Sequence, residues 1–332
     1  MEPRSAKFME VNMIVDEEHQ FLGEGNDSLD VIKREYSDVL CNSLGDAAGC
    51  IKGPKMKIEL DDSKKIKLSQ VTTARQVPAH MQAMSKVLMD ELESSGAVRR
   101  FNGPTPSTSP GHFLLKACNK KVRLVTDYRV LNKFVKRPIR PFCSATDLMK
   151  KIDPRSKWFC KLDAVHGYFQ VPLEEESIEL TAFLLADGKW VYLVAPMGLI
   201  SSSDEFNIRS DAAVMDLLNL WLLKIVDDMA IQGTTLQEVL RRLRMVLDRC
   251  RKAGIKLSLS KLKVSRSIKF AGFIICSDGI RPDPSKLAAI RQFPTPTSVT
   301  DLRSFLGLAN QLGSFLPDLA HATVHILSLI HI

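Results

Sequence analysis

In the run WLLKIVDDMAIQG, residues 221–233, two carboxylates, Asp227 and Asp228, stand side by side within an otherwise apolar stretch. Adjacent ionised carboxylates repel, and an apolar setting raises the cost of keeping each one charged. Something must offset that cost, or the pair must sit on a tight turn. The flanks LWLLKIV and MAIQG read as two buried strands, which puts the acids at the hairpin between them, on the edge of a sheet.

The surrounding pattern suits such a sheet. PAHMQAMSKVLMDELESSG reads as a helix with Pro78 at its start and Gly96 as its stop. TAFLLADGKWVYLV reads as a hairpin turning at Asp187-Gly188. Ser202 with Glu205, and Thr235 with Glu238, have the spacing of capping boxes opening two helices. The second carries Leu236, Leu240, Leu243, Leu247 and Cys250 on one face and Arg241, Arg242, Arg244 and Arg251 on the other, read as a solvated face. A further hairpin at IKFAGFIICSDGIRP precedes short helices from about Pro284 and Ser298. Helices interleaved with hairpins predict an α+β layer with an antiparallel sheet, not a parallel one.

Asp163 ends a second apolar, β-prone run, KWFCKLD, so two strand ends present acid and could be neighbours. Three converging carboxylates need a hard cation, and oxygen-only ligation suits Mg²⁺ with substrate phosphates completing its shell. Two-metal phosphoryl transfer uses such a set. Two unrelated acidic turns would leave the same residues in the chain.

The segments VRLVTDYRVLNK, KLDAVHGYFQVPL, YLVAPMGL, KIVDDMAIQG, KFAGFIICSDGIRPDPSKLAAIRQFPTPT and LRSFLGLANQLGSFLPDLA occur in an order and spacing that resembles the reverse transcriptases of gypsy-type LTR retrotransposons. The resemblance runs from about Lys57 to Ala320. It implies a right-hand polymerase: a leader over 1–76, fingers and palm over 77–276, and a truncated thumb and start of connection over 277–332.

Residue by residue, it implies that Asp163, Asp227 and Asp228 are the catalytic, metal-binding acids, for two Mg²⁺ ions with Mn²⁺ as the alternative. Arg123 would hold the incoming triphosphate with Lys121 beside it, a task suited to a guanidinium fork. Tyr168 would exclude a 2′-hydroxyl, and Met197-Gly198 would lie near the templating pair. Phe270, Ala271 and Gly272 would support the primer end. The implied partners are an RNA or DNA template with its primer, and dNTPs. The resemblance also carries departures: Ile225 stands where the family's YxDD box has tyrosine, and the fingers-loop tryptophan is absent from TPSTSPGH. A catalytically inactive, nucleic-acid-binding relic is the alternative reading. A two-metal nuclease would share the acids but leave Arg123 and Tyr168 without a role.

The net charge of +8 and pI near 9.1 fit a polyanionic partner. No apolar run approaches a membrane span and no signal peptide is evident, so an intracellular, cytoplasmic setting is expected, within a virus-like particle of the parent element. No protease, ribonuclease H or integrase signature is found, and a longer polyprotein would supply the last two. Seven cysteines without a CxxC pair read as reduced core residues. His166 reads as structural, and His321 with His325 lacks a third zinc ligand. The Asn26 sequon and the GEG fragment are read as chance matches.

Overall fold

The computed structural model describes residues 28–61, 63, 67–116, 121–137, 144–316, 318, 319, 321, 323 and 324. Its first part holds α1 (Leu29–Glu35), β1 (Leu40–Cys41) and α2 (Leu44–Ala47). Then come α3 (Ala79–Ser94), β2 (Val98–Arg100), β3 (Ser109–Leu115), β4 (Val122–Thr126), α4 (Ala145–Met149), β5 (Trp158–Asp163) and α5 (Glu175–Ile178). The chain continues through β6 (Phe183–Leu185), β7 (Gly188–Tyr192), α6 (Ile200–Val214), β8 (Leu222–Ile225), β9 (Asp228–Gly233), α7 (Leu236–Ala253), β10 (Leu257–Ser258) and β11 (Lys263–Ser265). It closes with β12 (Ser267–Phe270), β13 (Phe273–Cys276), β14 (Gly279–Pro282), α8 (Pro284–Arg291) and α9 (Val299–Asn310).

Four sheets organise the described residues of this α+β fold, the smallest being the parallel pair β1-β10. A four-stranded antiparallel sheet has the order β11-β5-β9-β8. One face packs Cys160, Leu162, Met229 and Ile231 against Phe206 and Val214 of α6 and against Val239, Leu243 and Leu247 of α7. Its other face sets Phe159, Leu223 and Ala230 against Ile268, Phe270, Phe273 and Ile275 of the β12-β13-β14 meander. A five-stranded sheet, β2-β7-β6-β3-β4, carries α3. Among the described residues no helix is long and apolar enough to cross a membrane.

Helix α3 starts after Pro78 and stops before Gly96, whose φ of +74° only glycine adopts without penalty. The 183–192 hairpin forms one residue earlier than expected: Leu185 pairs with Gly188, so Ala186-Asp187 is the turn and Gly188 absorbs a φ of +134° inside the ladder. At α7, Thr235 caps Glu238 N as expected, while the Glu238 carboxylate reaches back to Thr234 instead. The box at Ser202 does not form. The N-cap of α6 is Leu199, three residues earlier, because the Asn132 side chain accepts from Ile200 N at 3.0 Å, and the buried hydroxyls of Ser201 and Ser202 find no hydrogen-bond partner among the described residues. A capping box does occur at Ser298 and Asp301, opening α9.

The segment expected as a peripheral leader is, from Ser28 on, part of the main core. Ile32, Tyr36, Val39, Leu40, Leu44, Ile51, Met56 and Ile58 are all buried in it. The arginine face of α7 accounts for this. Arg251 forks onto Asp38 at 2.6 and 2.8 Å and lies 4.3 Å above the Tyr36 ring; Arg244 pairs with Glu35; the Tyr36 hydroxyl donates to Asp248 at 2.7 Å. Those arginines are ion-paired to the chain's own N-terminal segment, not merely solvated. Cys160 and Cys250 are buried as expected, whereas Cys41, Cys50 and Cys276 are partly exposed. His325, Asn26, the GEG fragment, Cys118 and Cys143 lie outside the described residues.

Candidate active site

Strands β5 and β9 run antiparallel with Asp163 opposite Asp228 as their last pair. Register partners share a sheet face, so Asp163 and Asp228 point the same way, toward the side that carries the meander. The turn preceding β9 holds Asp227, and Val226 within it has φ +52°. A β-branched residue in the left-handed region is strained, and such strain is kept where surrounding contacts over-determine it. Ala164 N supplies one such contact, donating to Asp227 O at 3.1 Å. Because Asp227 lies in the turn, strand alternation does not separate the two acids: Asp228, not Asp227, stands squarely opposite Asp163, and both carboxylates feel it.

Gly167 shapes the Asp227 side. A Cβ there would fall 2.7 Å from Asp227 Oδ1 and 3.2 Å from the Phe206 ring. No side chain fits, and the carboxylate takes that space. The loop between is pinned by Gln170, whose Nε2 donates to Val165 O and Lys256 O at 2.7 and 2.8 Å while its Oε1 accepts from Lys256 N. The glycine of HGYF was the available sequence signal; the glutamine gave none, because two of these three bonds go to Lys256, 86 residues away.

Burial first, and then the charge of Asp163, push the Asp227 carboxyl up to about 6. Asp228 is also raised, chiefly by burial, although Lys161 works against the shift. Lys161 Nζ lies 3.3 Å from Asp228 Oδ1, close enough for an ion pair but outside hydrogen-bond alignment. Lys261 Nζ lies 2.8 Å from Asp163 Oδ1. Buried Lys224, bonded to Asp211 at 2.8 Å and Asn207 at 3.0 Å, contributes a weaker opposing charge to Asp227. None of these three lysines was anticipated from the sequence, since each pairing depends on register or on packing between distant elements.

Among the described residues, no three His, Cys, Asp or Glu side chains are drawn together tightly enough to cage a metal ion as they stand. The donor set nevertheless fits a hard cation. Asp227 Oδ1 and Asp228 Oδ1 are shielded from solvent with no hydrogen-bond partner, and buried polar atoms are rarely left so without reason.

The remaining candidates surround this edge. Tyr168 is partly buried, edge-to-face with Phe206 at 6.3 Å, and its hydroxyl pKa is raised by burial and then by Asp227. Arg123 on β4 and Lys121 just before it are exposed on the five-stranded sheet, a different sheet from the acids. Met197 is exposed, and Gly198 O accepts from Asn132 Nδ2 at 2.9 Å. Phe270 is wholly buried, so its ring anchors the turn, and Ala271 and Gly272 after it, partly exposed with φ of +51° and +82°, carry the chain round. A cavity of about 390 Å³ lined by Met89, Phe113, Leu185 and Trp190 lies between α3 and the five-stranded sheet, away from the acids.

Residues 109–275 match the family model described as reverse transcriptase (RNA-dependent DNA polymerase). The chain is 32% identical over 237 residues to the retrovirus-related Pol polyprotein from transposon 297 of Drosophila melanogaster, covering 70% of this chain and 22% of that protein. Against the Pol polyprotein from transposon gypsy of the same organism, identity is 32% over 203 residues, covering 61% and 20%. The chain thus spans about a fifth of these curated relatives. Among solved structures, the foamy viral protease-reverse transcriptase in complex with RNA/DNA hybrid superposes with a TM-score of 0.76 at 21% identity, over 90% of this chain and 39% of that one. The foamy viral protease-reverse transcriptase dRH in complex with double-stranded DNA gives 0.78 at 22% identity, over 90% and 51%.

Proposed function

The chain belongs to the reverse transcriptase (RNA-dependent DNA polymerase) family, and from that premise we propose that it extends a primer 3′-hydroxyl with dNTPs on an RNA or DNA template. The observation that carries the reading is the register pair Asp163–Asp228 with Asp227 beside it, three carboxylates on one sheet edge with two oxygens unpartnered. In this reading the four-stranded sheet and the helices behind it are the palm, the five-stranded sheet belongs to the fingers, and the segment after Cys276 begins the thumb.

The family uses divalent metal ions. Asp163, Asp227 and Asp228 would hold Mg²⁺, or Mn²⁺ in its place; when bound, the cation lowers the pKa of the attacking hydroxyl and stabilises charge on the phosphates. The chain's own side chains do the rest. Arg123 and Lys121 hold the triphosphate by charge-assisted hydrogen bonds. Tyr168, held edge-on by Phe206, leaves no room beside C2′ for a hydroxyl, and Met197-Gly198 borders the nascent pair. Ala271 and Gly272 support the primer through their backbone. Intact acids favour an active enzyme over a relic that only binds nucleic acid. Ribonuclease H and integrase activities belong, in this reading, to other parts of a longer polyprotein.

The test is primer extension on an RNA template with dNTPs and Mg²⁺. Extension that requires all three components and disappears with Asp163→Asn supports the reading. Full extension by Asp163→Asn overturns it.

A further inference from the structure

Three carboxylates on one edge repel one another, and two lysines from this chain meet two of the three. They do so in different ways. Lys261 is 59% exposed, so its ammonium can leave Asp163 for water at little cost. Lys161 is 24% exposed and Asp228 29%, so both are largely withdrawn from solvent. Lys161 is two residues before Asp163 on β5 and therefore on the same face, a diagonal neighbour of Asp228 across the β5-β9 ladder. Directly opposite it on β11 stands Lys263, a like charge that leaves Lys161 in need of an acid. Asp228 is the acid that meets Lys161.

Resting on the reading of the acids as metal ligands, we propose that Lys161 is an internal counter-cation: it holds Asp228 while the site is free of metal and competes with a divalent cation for that carboxylate. The geometry suits an exchangeable partner. The 3.3 Å contact is an ion pair without hydrogen-bond alignment, so Asp228 Oδ1 keeps a lone pair that a better-placed cation can use. Among the described residues no lysine is ion-paired to the Asp227 carboxylate as Lys161 is to Asp228. A first cation therefore meets Asp227 and Asp163 with only mobile Lys261 to displace, whereas Asp228 becomes a ligand only after Lys161 releases it. Lys161 is a positioning residue that sets an order among the three acids.

The test uses the purified chain with Mn²⁺ alone, its binding followed by electron paramagnetic resonance, and thermal unfolding recorded in chelator and in Mn²⁺. Lys161→Met removes the competitor, so Mn²⁺ should bind on the order of tenfold tighter, while the chelated protein unfolds at a lower temperature and gains more from the ion. Lys161→Arg should act oppositely: its fork grips a carboxylate at two points, and Mn²⁺ should bind more weakly than to the wild type. A residue with only a packing role would weaken Mn²⁺ binding when replaced by Met. If Lys161→Met fails to fold, Lys161→Arg still decides, because affinity equal to or above that of the wild type overturns the proposal. Asp227→Asn separates the two levels of the argument. Should it bind Mn²⁺ as the wild type does, the acids are not the metal site and both readings fall. Should it lose binding while Lys161→Met matches the wild type, the counter-cation alone falls.

Discussion

The acidic hairpin and the seam where the N-terminal segment lies on α7 are both built from carboxylates and cations, yet they leave those charges in opposite states. At the seam, Asp38 receives both arms of the Arg251 guanidinium, and its carboxyl lies below the ordinary range because of those hydrogen bonds. At the hairpin, Asp227 has no hydrogen bond to one oxygen and its carboxyl lies above the ordinary range. Satisfied charge is what folding alone would select. Carboxylates left short of partners, at a strained turn and against a glycine that makes room for them, are costly to the fold and point to a use outside it.

The comparison is broken most directly by neutralising each region in turn. Asp163→Asn and Asp227→Asn should each reduce primer extension by at least about a hundredfold, since a lost cation ligand removes several kcal/mol and each ~1.4 kcal/mol is tenfold. Template-primer binding, measured separately, should be largely retained. Because Asp228 is the register partner of Asp163 but is held by Lys161, Asp228→Asn is expected to cost less than either. Equal losses in all three variants would remove the asymmetry.

Stability gives the next effect, with a sign opposite to that of activity. A carboxyl raised from 3.8 to about 6 means that the folded chain holds this proton more tightly than the unfolded one. The stability it contributes is therefore complete below about pH 4 and is lost as pH rises through about 6. Metal-free wild type should lose at most about 3 kcal/mol across that window from this group. Asp227→Asn should flatten that part of the profile and leave the metal-free protein more stable at pH 7. Urea titrations at pH 5 and 7 in chelator measure it; an unchanged pH slope in the variant would mean that burial of Asp227 is not the cause.

Gly167→Ala sharpens the same contrast without touching a charge. The added methyl would lie 2.7 Å from Asp227 Oδ1, so the carboxylate must shift. A displacement near 1 Å in a reacting geometry costs about tenfold or more. Extension should fall by about that factor while the seam, monitored by the fluorescence of Tyr36 and its neighbours or by hydrogen exchange in α1, stays as it was.

Much of this was legible because it is local. The hairpin at Asp227-Asp228 follows from apolar flanks around paired acids, α3 and α7 from their periodicity and end signals, and the turn at Ala271-Gly272 from two β-prone runs with a glycine between them. Other features depend on pairings no window of sequence contains. Tyr36 finds Asp248 at a separation of 212 residues, which is why an aperiodic stretch looked peripheral. Lys161 meets Asp228 only because the β5-β9 register sets them diagonally. Asn132 caps α6 from across the fold and displaces the box expected at Ser202, a case of a tertiary partner overriding a correctly spaced local one.

The smallest expected effect is at the seam, and it decides whether the contrast is real. Arg251→Ala removes the fork onto Asp38, a bond to Glu35 O at 2.7 Å and the guanidinium above Tyr36. Geometrically this is the better ion pair of the two regions, but its side chains are 39% and 53% exposed, and exposed pairs contribute at most about 1 kcal/mol. Stacking over Tyr36 adds about 0.5–1 kcal/mol at such a surface position. The variant should thus unfold roughly 1 kcal/mol more easily, with less loss at high salt, and should extend a primer at the wild-type rate under conditions where it remains folded. A double-mutant cycle with Asp38→Ala should return a coupling below about 1 kcal/mol. A folded Arg251→Ala variant that had lost extension would show that the seam carries function after all, and partner satisfaction would then fail as a guide to which charges in this chain are structural.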